Sequence, residues 1–257
     1  MSDEPLVLIS TDGGVATVTL NSPANRNALS VGMLMAFSDA LDAVEADTAA
    51  RVVKLTYNGP VFSAGMDLKE AVVVGLENTS GLLLKILKQI VTLPKPVVVR
   101  LDGPVRAGGL GIVGAADVVI SNDAVTFAFT EARIGVAPAI ISLTTLPRMD
   151  PRVAHRWCLT GETFSAADAA AAGLISQAVP AAELDAAVDG VIAELLLASP
   201  QGLAETKKLL GRDMADLIDD KGEAIAKLSA GLFASEEAQE GMNAFISKRK
   251  PRWQTGS

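Results

Sequence analysis

The period of the apolar pattern changes several times along the chain. The β-rich runs Leu6–Ser10 and Val15–Leu20, separated by Thr11-Asp12-Gly13-Gly14, predict a hairpin closed by a glycine-assisted turn. A helical pattern over Gly32–Glu45 follows, and then the strand-like Val52–Tyr57 leads into the loop Asn58-Gly59-Pro60. The order repeats with a helix around Leu82–Val91, an apolar strand Val97–Leu101, a small-residue helix after Gly108, and β-runs Val118–Ser121 and Thr126–Phe129. Ser165-Ala166-Ala167-Asp168 has capping-box form and starts an alanine-rich helix that Gly173 closes before the strand Leu174–Val179. Short strands alternating with helices predict an α/β fold.

From about Ala182 the pattern is helical almost to the end, with Pro200 suited to a first helical turn and Ser235 to an N-cap before Glu236–Ser247. The expected division is therefore a core over residues 1–198 and a helical region over 199–257. Apolar positions in that region, Leu209, Leu210, Ile218, Ile225, Leu228, Leu232 and Phe233, exceed what a free tail would expose. They are expected to cover the core or another subunit.

Composition narrows the function classes. A chain of 257 residues that is 49% hydrophobic and 20% charged can bury a sizeable core. Its 22 basic against 30 acidic residues, net charge -8, argue against nucleic acid or an anionic membrane as the principal partner. The run Lys248–Arg252 is a local basic exception. A single cysteine, Cys158, excludes an internal disulfide framework and a thiolate zinc site. The lone His155 cannot supply a histidine metal triad, and no metal site is expected. The chain opens Met-Ser-Asp-Glu-Pro without a basic, apolar leader and has no stretch long enough to span a bilayer, so the cytoplasm is the expected location.

Two glycine-containing loops carry the candidate chemistry. Phe62-Ser63-Ala64-Gly65-Met66-Asp67-Leu68-Lys69 follows a strand and runs into helix-compatible residues, which leaves backbone N–H groups unpaired at a helix start. Gly103-Pro104-Val105-Arg106-Ala107-Gly108-Gly109-Leu110-Gly111 does the same before a small-residue helix. Either loop alone reads better as turn chemistry or close helix packing than as an anion site. As a pair, they offer two convergent donor sources for an anionic oxygen.

With these loops in hand, the sequence resembles the crotonase (enoyl-CoA hydratase/isomerase) superfamily. The likeness runs from Ser22-Pro23-Ala24-Asn25-Arg26-Asn27-Ala28-Leu29 to the segment Glu240–Arg249, through Leu159-Thr160-Gly161-Glu162 and Ala172-Gly173-Leu174. The resemblance implies a spiral of ββα turns with a C-terminal helical domain that assembles a homotrimer or dimer of trimers. It implies that Met66 and Gly108 supply backbone donors to a thioester oxygen. Asn25, Arg26, Ala64 and Leu68 would lie along the CoA moiety, and Phe245 and Lys248 would reach the CoA of a neighbouring subunit. CoA is then part of the acyl-CoA substrate, and no separate cofactor is implied. The lysine also reads as an ordinary solvated charge near a terminus.

Hydratases of this family carry two glutamates. Glu131, in Phe129-Thr130-Glu131-Ala132-Arg133-Ile134-Gly135, matches the later one, while Gly111 stands at the earlier position. A carboxyl beside a thioester pocket, with Ile134 and Val136 as apolar neighbours, suits general acid–base work. A single glutamate leaves hydration of a 2-enoyl-CoA and Δ3,Δ2 isomerisation open, and an acyl-CoA binder without turnover is the reading from another class. The motif around Gly111 and Thr130–Ser142 is most similar to methylglutaconyl-CoA-type hydratases, which favours a hydro-lyase.

Other residues are read structurally: His155 at the surface, Cys158 in the core, Arg133 at the surface or ion-paired, and Asp67 as a helix cap. Acyl-chain selection is expected to depend on Ala71–Ser80 and Pro138–Leu146.

Overall fold

The computed structural model describes residues 4–70 and 77–255. Part of the segment expected to shape the acyl site, residues 71–76, lies outside the described residues. The chain opens with β1 (Val7–Asp12) and β2 (Val15–Leu20), antiparallel, with Asp12 paired to Val15. That register leaves only Gly13 and Gly14 in the turn, at φ 54° and 85°. Two successive positive φ angles match the twist of a tight hairpin, and glycine adopts them without steric cost.

Helix α1 (Val31–Ala46) starts where the Ser30 hydroxyl accepts from Met33 N, and it returns the chain to β3 (Val52–Tyr57). Helix α2 (Glu77–Thr92) leads to β4 (Val97–Leu101) and to the short β5 (Val105–Arg106). Then come α3 (Gly108–Ala115), β6 (Val118–Asn122) and β7 (Thr126–Ala128). A 3-10 turn (Glu131–Ile134) precedes α4 (Ala139–Thr145) and α5 (Pro151–Thr160). The strand β8 (Phe164–Ser165), α6 (Ala166–Ala171), β9 (Gln177–Val179) and α7 (Leu184–Leu197) complete the α/β part. Ser165 and Asp168 form the reciprocal capping box that their spacing predicts.

The main sheet has the order β1-β2-β3-β4-β6-β9, and every junction after the hairpin is parallel. Strand alternation sends Val53, Leu55, Val97, Val99 and Val119 into the principal core. Val52, Val98, Ile120 and Val179 face the other way, against Leu184, Val188 and Ile192 of α7. A smaller sheet, β5-β7-β8, stands beside it. Its two shortest strands have only two residues each, too short for a sequence period to reveal.

The C-terminal helices α8 (Pro200–Phe233) and α9 (Glu236–Ile246) begin at the Ser199 and Ser235 hydroxyl caps. They pack into the same body rather than standing apart as a tail. Met214 and Ile218 of α8 enter the principal core, and the buried Lys207 ammonium reaches Ile90 O at 2.8 Å, Lys95 O at 3.0 Å and Asp117 Oδ2 at 2.7 Å. The apolar positions of the region divide accordingly. Ile218 and Ile225 pack on the core, while Leu209, Leu210 and Leu228 are exposed.

Candidate active site

The first loop is held from below by the polar segment that precedes α1. Arg26 and Asn27 adopt the left-handed conformation at φ 52° and 48°, turning the backbone so that Arg26 O accepts from Ala64 N at 3.0 Å. Asn27 is fully buried and ties three strands of loop together: it accepts from Ser22 N and donates to Asn58 O and Val61 O. The Ser63 hydroxyl donates to Asn27 O and accepts from Gly65 N. Asn25 adds a bond from its side-chain amide to Asp67 at 2.8 Å. The sequence reading passed over Asn27 and Ser63. Asparagine tolerates positive φ, but the partners of Asn27 at Asn58, Val61 and Ser63 are too far along the chain for a local signal to reveal them.

Leu29 then fixes the exit of the loop. Its N–H donates to Gly65 O at 2.8 Å and its carbonyl accepts from Asp67 N at 3.4 Å, an isolated parallel bridge that straddles Met66. In such a bridge the N–H of the straddled residue faces the other side. Asp67 caps the turn that follows, its Oδ1 accepting from Lys69 N and Glu70 N, as its sequence position predicts.

The second loop arrives from β5. Its Ser63-to-Val105 bridge and the bond from Arg106 N to Ser63 O lock it against the first. Ala107 turns at φ 46° and ψ -121°, a strained geometry for a residue with a Cβ, and the bond from its N–H to Ala128 O holds it there. Helix α3 starts at the next residue, so the Gly108 N–H is an unpaired first-turn donor. The loops touch closely. A Cβ on Gly65 would come 3.5 Å from Gly108 N and 2.8 Å from Ala107 Cβ, and one on Gly108 would lie 3.8 Å from Met66 Sδ. Neither the Met66 nor the Gly108 N–H donates to another group among the described residues.

Glu131 is delivered by β7, three residues beyond the carbonyl that holds Ala107. It is 7% exposed, and its Oε2 has no hydrogen-bond partner. Burial pushes its carboxyl up to about 7, only partly offset by its own backbone N–H. Burial, with the Glu131 charge second, also raises the nearby Cys158 thiol to about 11, so that cysteine is an inert, half-buried group. His155 is exposed, and Arg133 lies at the surface with Nε donating to Thr160 O.

An apolar cluster joins these parts. Ile134 and Val136, just after Glu131, pack with Met66 and Leu68 of the first loop and with Leu232, Phe233, Ala238 and Met242 of the C-terminal helices. The approach is close enough that a Cβ on Gly241 would meet Ile134 O at 2.3 Å. Gly111 faces a filled space: a Cβ there would come 2.7 Å from Ile141 Cγ2 and 3.3 Å from Leu87 Cδ1. Asn25, Arg26, Ala64, Met66, Leu68 and Gly108 therefore belong to one neighbourhood, and the residues just after Glu131 pack on it. Phe245, 65% exposed, and Lys248 stand on the solvent side at the end of α9. A separate cavity of about 690 Å³, lined by Arg156, Trp157, Glu162 and Phe164 among others, contains none of the sequence-predicted site residues.

Comparison with known proteins shows the family. The family profile described as Enoyl-CoA hydratase/isomerase matches residues 10–256. The chain belongs to the enoyl-CoA hydratase/isomerase family. A crystal structure of an enoyl-CoA hydratase from Mycobacterium avium is similar at a TM-score of 0.90 and 44% identity, over 97% of this chain and 99% of that one. Human enoyl-CoA hydratase domain-containing protein 3, mitochondrial, is 30% identical over 93% of this chain and 80% of its own. The trans-2-decenoyl-[acyl-carrier-protein] isomerase of Streptococcus mutans is 29% identical over 96% of this chain and 97% of its own. Family members thus include proteins named for both hydration and isomerisation. Among the described residues, no helix is long and apolar enough to cross a membrane.

Proposed function

We propose that this family member processes an enoyl-CoA thioester through an enolate, with the Met66 and Gly108 N–H groups holding the thioester oxygen and Glu131 acting as the single acid–base group. The observation that carries the reading is the buried, unpartnered Glu131 carboxyl, whose following residues Ile134 and Val136 pack on Met66 and Leu68, together with two backbone donors that have no other acceptor among the described residues. Removing a proton from C2 places negative charge on the thioester oxygen, which is where preorganised donors act most strongly. A carboxyl poised near neutrality can take that proton and return it.

Isomerisation fits the geometry best. The place of a second carboxylate at residue 111 is closed by Ile141 and Leu87, which gives an apolar wall where a water molecule would otherwise be held. One base suffices to remove a proton at C2 of a 3-enoyl thioester and deliver it at C4, so that the double bond moves into conjugation and no atom is gained or lost. Hydration is the second reading. It is favoured by relatives named enoyl-CoA hydratases and by the motif likeness to methylglutaconyl-CoA-type hydratases, and it requires Glu131 with other groups to hold the water. Asn25, Arg26, Ala64 and Leu68 would flank the CoA, and Phe245 and Lys248 would reach that of a neighbour in a homotrimer or dimer of trimers. CoA would enter as part of the substrate, with no separate cofactor.

The test is a paired assay. With a 3-enoyl-CoA the conjugated enone absorbance is expected to rise, and with a 2-enoyl-CoA its decay reports hydration. Glu131→Gln is expected to lower the faster of the two by roughly 10²–10⁴-fold. Tight binding of both thioesters with turnover of neither would replace the enzyme reading with that of an acyl-CoA binder.

A further inference from the structure

Beyond Glu131, three buried polar atoms lack partners among the described residues: Arg51 Nε, whose guanidinium is already held by the carbonyls of Leu196 and Ala198, and the hydroxyls of Thr79 and Ser80, each of these two residues 1% exposed, in the first turn of α2. An unsatisfied buried hydroxyl is costly, and a residue kept in that state needs a reason. The register of α2 shows where they lie. Leu83 is the α2 residue nearest a Gly108 side-chain position, at 3.7 Å, and Leu87 is the one nearest Gly111, at 3.3 Å. Helices α2 and α3 therefore run side by side in the same direction. Thr79 and Ser80, four and three residues before Leu83, fall on the same face one turn earlier, about 5.4 Å along the axis. That is ahead of the α3 N-terminus, on the side to which the Gly108 N–H points, and side chains lean further toward their helix's own N-terminus.

Helix α8 closes the same end. It runs antiparallel to α2, since Leu84 meets the Gly222 position and Lys88 pairs with Asp219. Residues after Gly222 thus flank the first turns of α2. Among them is another buried hydroxyl, Ser229, one turn before Phe233 of the cluster around Met66 and Leu68. The lysines of α2 are directed elsewhere, Lys85 to Asp42 and Lys88 to Asp219. Neither lysine of α2 is therefore available to a carboxylate at the hydroxyl end of the helix.

We propose that the Thr79 and Ser80 hydroxyls form a polar wall of the acyl pocket and bind a neutral oxygen substituent, a hydroxyl or carbonyl, on the acyl chain of the thioester. This rests on the acyl-CoA reading of the site and narrows it to a substrate class. Hydroxyl groups can donate to a carbonyl and both donate to and accept from an alcohol, so one wall serves both. A plain hydrocarbon chain would leave them unsatisfied, and sites with buried hydrogen-bonding groups discriminate strongly against such analogues.

The experiment compares two CoA thioesters of equal chain length, one plain and one bearing a hydroxyl or keto oxygen, on the full-length protein. Two ratios are read: kcat/KM for the enoyl pair, and Kd for the corresponding saturated, unreactive pair. The wild type is expected to prefer the oxygenated member, and Thr79→Val with Ser80→Ala to cut that preference 10- to 100-fold in both ratios. Thr79→Ser and Ser80→Thr, which retain the hydroxyls, are expected to keep it. No preference in the wild type, or an equal loss on both thioesters as expected of hydroxyls that hold a water for the common reaction, overturns the proposal. Discrimination in Kd without turnover of any thioester would sink the catalytic reading and leave this one standing.

Discussion

A side-chain carbon built on Gly111 would lie 2.7 Å from Ile141 Cγ2, closer than real contacts allow. Position 111 therefore has no room for a larger side chain, because Ile141 of α4 fills the space. Gly111→Glu alone is expected to lower stability by about 1–3 kcal/mol through overpacking and burial of a carboxyl beside Leu87. Gly111→Glu combined with Ile141→Ala is expected to recover part of the loss and to raise hydration relative to isomerisation. Thermal melts and the paired thioester assay check both effects. A single Gly111→Glu variant as stable as the wild type would show that the wall yields freely.

Gly65 makes the contact between the two loops possible. It stands at φ +88°, and a Cβ there would come 2.8 Å from Ala107 Cβ, so alanine would both strain the backbone and push the loops apart. Separating the Met66 and Gly108 amides by even a fraction of an ångström should weaken their hold on a developing oxyanion. Gly65→Ala is expected to reduce kcat by roughly 10²–10³-fold, measured well below its melting temperature so that unfolding does not contribute. An unchanged kcat in a folded Gly65→Ala protein would argue against a paired-amide site.

Much of this was legible in the chain because the relevant signals are local. Strands Val52–Tyr57 and Val97–Leu101 coincide with their apolar runs, and the caps at Ser165, Ser199 and Ser235 hold helix starts where expected. The two glycine loops announce themselves by composition, and the structure brings them into contact. What stayed hidden depends on distant partners. Nothing near Asn27 in sequence shows that it bridges Ser22, Asn58 and Val61, and nothing near Gly111 shows Ile141 filling its space. The role of α9 is of the same kind: the sequence places it in a helical region that covers the core or another subunit, and nothing local shows that its Ala238 and Met242 pack against the residues that follow Glu131.

Lys207 anchors α8 to the body. Its buried ammonium is shared by Asp117 and the carbonyls of Ile90 and Lys95, and removing it strands the two carbonyls and leaves the Asp117 carboxylate with the Val97 N–H but no cation. Lys207→Met keeps the apolar stem but not the donors. It is expected to destabilise the protein by about 3 kcal/mol, toward the lower end for a broken buried pair because Asp117 retains some exposure. Chemical denaturation measures the change. A loss below about 0.5 kcal/mol would mean that water satisfies the acceptors as well as the lysine does.

Glu131 should make both stability and activity depend on pH in a predictable sense. Burial raises its carboxyl from an ordinary 4.5 to about 7, so between those values the folded protein keeps a proton that the unfolded chain has released. Stability should therefore fall as pH rises from about 4.5 to 7, by about 3 kcal/mol in total, and this contribution should be flat above that window. Glu131→Gln, neutral in both states, should lack the decline, so the wild-type-minus-variant difference isolates it. Activity runs the opposite way, because abstraction of the C2 proton needs the ionised carboxylate: kcat/KM for a 3-enoyl-CoA should rise with pH to a plateau above about 7. Both curves report the same group and must turn in the same region. A rising limb near 4.5, or a stability difference that stays constant from pH 4.5 to 7, would show that Glu131 is solvated in the free enzyme and is not the poised base.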